Sequence, residues 1–149
     1  MAALTNSRKT PQYGAGESMV KGIDAPMKAS TRIYNGALVA RDATGYAQPA
    51  GLIAGGSERV LGVACAEVDN SAGAAGALRV PLRRGAFGFK NSAAGDLITF
   101  ADVGDIVYVV DDQTVAKTDG TGARIAAGVV VGIDQADGLV MVEVGVHWG

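Results

Sequence analysis

The chain has 149 residues, of which about half are apolar, enough for one folded domain with a real core and too apolar for a disordered polypeptide. A formal charge of −2 excludes the strongly basic balance of a nucleic-acid binder, and a single cysteine excludes an intrachain disulfide or a thiolate metal cluster. No apolar run reaches the roughly 20 residues that a membrane-crossing helix needs.

Within that frame, 22 glycines, few aromatics and much alanine and valine point to short strands packed closely, with glycine at turns and bulges. Charge is uneven along the chain. Residues 1–32 carry five basic side chains against two acidic ones, whereas residues 33–149 carry eight against thirteen.

Residues 1–32 are polar, contain Pro11 and Pro26, and keep neither a period of two nor one of 3.6. The residue before each proline favours extended backbone, so the reading is an extended N-terminal arm over 1–32. Ordering such an arm costs about 1–2 kcal/mol of backbone entropy per residue, so it needs a surface to lie on. The start, Met1 to Arg8, lacks the apolar core of a secretory signal, which makes a soluble protein of a reducing cytoplasm the expectation.

From residue 33 to 149 the pattern is strand, turn, strand. Gly36 to Arg41 lead into a turn at Asp42-Ala-Thr-Gly45, then Tyr46 to Pro49. Glu58 to Val68 make a long β-prone run containing Cys65, read as a small buried hydrophobe. A loop of Ser, Ala and Gly over 71–76 follows. Leu78, Val80 and Leu82 alternate with Arg79, Pro81 and Arg83, and the proline predicts an edge strand or a bulge. Phe87 and Phe89 share one face of the next strand, and only 93–103 has room for a helical turn.

Both faces of Ile106 to Val110 are apolar, so both are expected to be covered. In 125–133, Ile125, Ala127, Val129, Val131 and Ile133 read as a core face. Ala126, Gly128, Val130 and Gly132 read as a face of small residues suited to close approach of another backbone. Val140, Val142, Val144 and Val146 form the inward set of the last strand, and Asp119 to Gly122 and Asp137-Gly138 are turns. The predicted architecture is all-β, a compact barrel or sandwich.

Catalytic chemistry finds little to work with. The one histidine, His147, stands beside Trp148 near the end, with no nucleophile motif before it. Asp102, Asp105, Asp111 and Asp112 lack the oxygen spacing of a calcium loop and read as turn and edge aspartates. Arg84 to Lys90 looks a little like an RNA-binding strand but sits in a β-only context, where a bulged strand accounts for it. No phosphate-binding glycine loop occurs. The expectation is a non-enzymatic protein with no catalytic, cofactor or metal residues and no nucleic-acid or membrane partner.

Taken in order, Gly36-Ala-Leu-Val, Gly45-Tyr-Ala-Gln-Pro49, Arg59-Val-Leu-Gly-Val-Ala64, Val80-Pro-Leu-Arg-Arg-Gly-Ala-Phe87, Val103 to Asp112, Ala127 to Asp134 and Gly138 to Val144 carry a resemblance. Over about residues 30–149 the chain resembles the capsid decoration, or head cement, proteins of tailed phages. The resemblance implies a β-tulip-like body on the outer surface of a phage head, self-associated as a homotrimer, with dimers equally compatible with the residues. It implies an arm lying along the major capsid protein, with Arg8, Lys9, Pro11, Tyr13, Lys21, Pro26, Lys28 and Arg32 as capsid-binding residues. Open alternatives are a tail-associated virion component, a β-sandwich ligand-binding or adhesin module, and a small β-barrel enzyme.

Overall fold

The structure is a computed structural model that describes residues 2–13, 23–52 and 57–144. Among the described residues thirteen strands follow one another: β1 (Gln12–Tyr13), β2 (Asp24–Pro26), β3 (Thr31–Ile33), β4 (Leu38–Arg41), β5 (Ala47–Pro49), β6 (Arg59–Ala64) and β7 (Val68–Asn70). Then come β8 (Arg79–Arg83), β9 (Gly85–Phe89), β10 (Ile106–Asp111), β11 (Thr114–Ala116), β12 (Ala126–Ile133) and β13 (Val140–Val144). The helical turn expected between 93 and 103 is present as two short 3-10 turns, Ala94–Asp96 and Phe100–Asp102.

The strands form three antiparallel sheets, ordered β1-β9-β13-β12-β10-β11, β2-β8-β6-β4-β5 and β3-β7. All-β is therefore correct, and of the two architectures predicted the sandwich-like one is present. None of the sheets closes into a barrel, because the outer strands of each sheet do not pair with each other.

Two apolar cores explain the stacking. One holds Leu38, Val63, Phe87, Phe89, Val107, Val109, Val130, Val140, Val142 and Val144, between the six-stranded and five-stranded sheets. The other holds Ala25, Met27, Ile33, Val39, Ala64, Val80 and Leu82, with Leu4 and Val68 packed against it. Strand β4 serves both: Leu38 and Ala40 enter the first core and Val39 the second, and all three are fully buried. The strict alternation of a strand requires this division. Burial of a large side chain such as Phe87 or Met27 contributes about 1.5–3 kcal/mol.

The described parts of residues 1–32 lie on or in the sheets, and residues 14–22 lie outside the described residues. β2 pairs with β8 and β3 pairs with β7, and the boundary at residue 32 falls inside β3. Ala25 and Met27 belong to a core.

Three strand expectations need correction. Strand β8 lies inside its sheet, between β2 and β6, and is not an edge. Its proline is tolerated because the β6 ladder ends at Ala64↔Leu82; the Pro81 carbonyl still accepts from the Cys65 N–H at 2.9 Å. In β10, Val107 and Val109 are buried but Ile106 is 40% exposed, so only one face is fully covered. In β12 the core face changes sides. Register shifts against β10 and β13 mark bulges: the first, at Ala127, turns Val130 in and Val131 outward, and the second, at Val131, returns Ile133 to the core side.

Other local expectations are met. Val140, Val142 and Val144 point inward, as do Phe87 and Phe89. Gly128 lies where a Cβ would stand 2.1 Å from the Glu143 carbonyl oxygen, the close backbone approach that the small face suggested. The 71–76 loop is tied down by buried Asn70, whose Nδ2 donates to the Lys28 and Ala74 carbonyls, both at 3.0 Å. Cys65, expected as a buried hydrophobe, is instead half-buried and outside both cores, and burial raises its thiol pKa.

Candidate protein-binding surface

Residues 2–13 have no helical or strand period, and several of their backbone groups bond the body instead. Gln113 Nε2 donates to the Ala2 carbonyl at 2.6 Å, and the Leu4 N–H donates to Asp112 Oδ1 at 2.8 Å. Further on, the Arg8 N–H donates to the Asn35 carbonyl at 2.9 Å, and the Gly88 N–H donates to the Pro11 carbonyl at 2.8 Å. β1 then joins the edge of β9. The segment thus rests on the β10–β11 turn, the turn before β4, and β9.

Gly36 makes the middle contact possible. Its φ is +87°, and a Cβ there would lie 2.2 Å from the Arg8 carbonyl oxygen and 2.6 Å from Thr10 Oγ1. The Thr10 hydroxyl donates to the Gly36 carbonyl. Beneath the start of the segment, burial raises the pKa of Asp112 above the ordinary carboxylate value, opposed by the Leu4 N–H and the charge of Arg8.

A cleft of about 410 Å³ opens beside this contact, lined by Ser7, Arg8, Lys9, Thr10, Asn35 and Arg83. Arg8 and Arg83 are half-buried and Lys9 is exposed. The Arg83 guanidinium lies 5.6 Å from the centre of the Phe87 ring, a cation–π contact that orients it. The Asn35 N–H donates to Ser7 Oγ at 3.1 Å, and that hydroxyl donates to Glu67 Oε1 at 3.0 Å, which fixes the cleft wall.

The residues singled out from the sequence do not form one patch. Arg8 and Lys9 meet in the cleft, with Pro11 just beyond it and Tyr13 paired to Ala86 on the β9 edge. Pro26 is half-buried in β2 opposite Arg79. Lys28 turns toward the body, 3.5 Å from Asp42 and 3.3 Å from Gln48 Oε1. Beside it the buried Gln48 amide donates to Glu58, whose pKa burial raises, while the Gly51 N–H donates to Glu58 Oε2 at 3.2 Å. Arg32 is exposed, bonded to Glu67, 3.8 Å from Asp69, and 5.1 Å from the Tyr34 ring centre. The Arg32 hydrogen bond is the main reason the Glu67 pKa is lowered. Lys21, His147 and Trp148 lie outside the described residues.

Sequence reasoning missed Arg83, Asn35, Ser7 and Thr10 as cleft residues. Only Arg83 left a signal, as part of the arginine-rich strand in the resemblance.

A second surface is apolar. Phe100 is 68% exposed, and Val103, Ile106 and Val131 are also exposed large hydrophobics. They fall together because the Gly104 N–H donates to the Val130 carbonyl at 2.8 Å and the Val130 N–H to the Asp105 carbonyl at 3.0 Å. The aspartates of this region serve turns. Asp102 caps the second 3-10 turn through the Thr99 N–H at 2.7 Å and lies 3.3 Å from Lys117. Asp111 accepts from the Gln113 N–H at 3.0 Å.

Among the described residues no group of three or more His, Cys, Asp or Glu could hold a metal ion, and no helix is long and apolar enough to cross a membrane. Comparison with protein-family models, with curated proteins and with solved structures gives no match.

Proposed function

We propose that this chain is a non-enzymatic structural protein of a tailed-phage virion, binding the outer surface of the head and bridging neighbouring major capsid proteins. The observation that carries the reading is the N-terminal segment. It crosses the body over residues 2–13, is held at a few polar points, and presents Lys9 exposed beside the half-buried Arg8. The strand and turn order resembling head decoration proteins supports it.

The physical action is differential binding. A protein that binds the mature lattice better than the immature one shifts the equilibrium toward the mature form by mass action. Several segments on one oligomer add their weak contacts through effective concentration. Self-association, as three copies or two, would draw on the exposed apolar group around Phe100 and Val131.

The test is co-sedimentation with purified mature heads lacking decoration, using the full chain and a chain without residues 2–9. That shorter deletion spares Ala25 and Met27, which the second core requires. Saturable binding by the full chain, weakened at least about tenfold by the deletion, supports the reading, tenfold being 1.4 kcal/mol. Absence of binding by the full chain to any head form overturns it, and undiminished binding by the deletion chain removes the segment from the contact. Light scattering on the full chain gives the copy number.

A further inference from the structure

We propose that the outward face of the six-stranded sheet is a self-pairing surface, which receives the same face of a second copy of this chain about a two-fold axis. The pairing deepens the self-association in the reading above by naming its surface and its partner.

The ladder registers fix which side chains share this face. Ile106, Val129, Glu143 and Ala86 stand opposite one another across β10, β12, β13 and β9. Directly opposed residues lie on one side of the pleat, and the adjacent Val107, Val130, Val142 and Phe87 point the other way, into the first core. Gly132, Met141 and Gly88 form the neighbouring outward row. An antiparallel sheet with one face in solvent usually puts polar residues there. These two rows hold a single polar side chain, Glu143. Ile106 is 40% exposed and Val131, in the bulge beside Gly132, is 45% exposed. Ile106, Val129 and Met141 belong to neither core.

The middle of the face is flat. Met141 has a glycine on each side, and its sulfur lies over Gly132, where a Cβ would stand 3.2 Å from it. Glycine inside a strand suits the close approach of another backbone.

Charge selects the occupant. Glu143 is exposed, and so is Lys90, which continues the outward alternation of β9 one pleat past Gly88. The ion pairs among the described residues include neither. Lys90 is four residues from Ala86, the residue opposite Glu143, and that is about 13 Å, too far for the two charges to pair within one chain.

The two charges thus lie one pleat to either side of the Met141–Gly88 pair. A two-fold axis between facing sheets, crossing the strands at that pair, exchanges the two sides. It sets Lys90 of each copy beside Glu143 of the other, across the roughly 10 Å that separates packed sheets, and keeps the two Glu143 carboxylates apart. Four strands about 4.8 Å apart and about five residues long give a face of about 20 by 17 Å, at the low end of specific interfaces, so the pairing is reversible.

The test is sedimentation equilibrium of the full chain from micromolar to millimolar concentration. The expected result is an equilibrium between one and two copies that weakens with salt. Glu143→Lys and Lys90→Glu each bring like charges together across the axis and should weaken pairing at least about tenfold. Mixing the two variants restores both attractive contacts, so the mixture should pair within about threefold of the original chain. Both residues are exposed, so neither change touches a core, and a misfolded chain would not recover on mixing. A single-copy mass throughout leaves the face to residues 145–149 or to a different protein and overturns the proposal. A mass of three copies, pairing indifferent to both variants, or no recovery on mixing overturns it too. Head binding by a full chain that never pairs would sink the pairing and leave the decoration reading standing. Pairing without head binding would do the reverse.

Discussion

Replacing Gly36 by alanine should unseat the N-terminal segment, and Gly45 supplies the control that isolates the effect. Both glycines have strongly positive φ, +87° and +94°. A side chain at either position therefore meets the same backbone penalty, about 1–2 kcal/mol. At Gly45 a Cβ meets nothing within 4 Å, so Gly45→Ala should cost that amount and no more. At Gly36 the Cβ would stand 2.2 Å from the Arg8 carbonyl oxygen. Carbon–oxygen contacts run at about 3.3 Å or more, so the segment must retreat by about 1 Å. That retreat breaks the 2.9 Å Arg8–Asn35 backbone bond and the Thr10–Gly36 bond, each worth about 1 kcal/mol net. Gly36→Ala should accordingly lose about 2 kcal/mol more than Gly45→Ala in urea unfolding. Hydrogen exchange at the Arg8 and Leu4 amides should rise in the first variant alone. Equal stability losses in the two variants, or unchanged exchange at Arg8, would refute the account of how the segment is held.

Asp42 holds the β4–β5 turn, accepting from the Thr44 N–H at 2.9 Å, the Thr44 hydroxyl at 2.6 Å and the Tyr46 N–H at 3.0 Å. The Thr44 hydroxyl is the largest cause of a pKa lowered from 3.8 to about 2, with the backbone donors and Lys28 adding to it against burial. A depressed folded pKa means stability that is full above the unfolded value and lost as pH falls through the folded one. Urea midpoints should therefore fall between pH 4 and pH 2, and Asp42→Asn should flatten that fall; a parallel pH profile in the variant would contradict this. Gly128 gives a test of packing without backbone strain, since its φ is not positive. Gly128→Ala puts a Cβ 2.1 Å from the Glu143 carbonyl oxygen and 2.8 Å from Val142 Cγ1. It should cost about 3 kcal/mol, and a loss under about 1 kcal/mol in chemical unfolding would mean that β12 and β13 part easily.

The amino-acid order by itself determined the elements whose signal is local. Val140, Val142 and Val144 recur every second residue, so the core face of β13 follows from the pleat alone. Phe87 and Phe89 do the same for β9, and Asp42 to Gly45 carry the turn chemistry that their bonds use. Tertiary structure decided the rest, because the deciding partner is distant in the chain. β1, β2 and β3 are two or three residues long, too short for a period, and exist as strands through pairing with β9, β8 and β7. The phase of β12 depends on bulges set by its register against β10 and β13, so alternation alone put Val131 inside and Val130 outside. Pro81 reads as an edge residue until the end of β6 is known. The cleft is the extreme case: Arg8 and Lys9 were visible as arm cations, but Arg83 joins them through the docking of the N-terminal segment on Gly36. A glycine chosen for the space it leaves, and a strand position set by a ladder, are nonlocal quantities. One chain read along its length carries the residues for both and the geometry for neither.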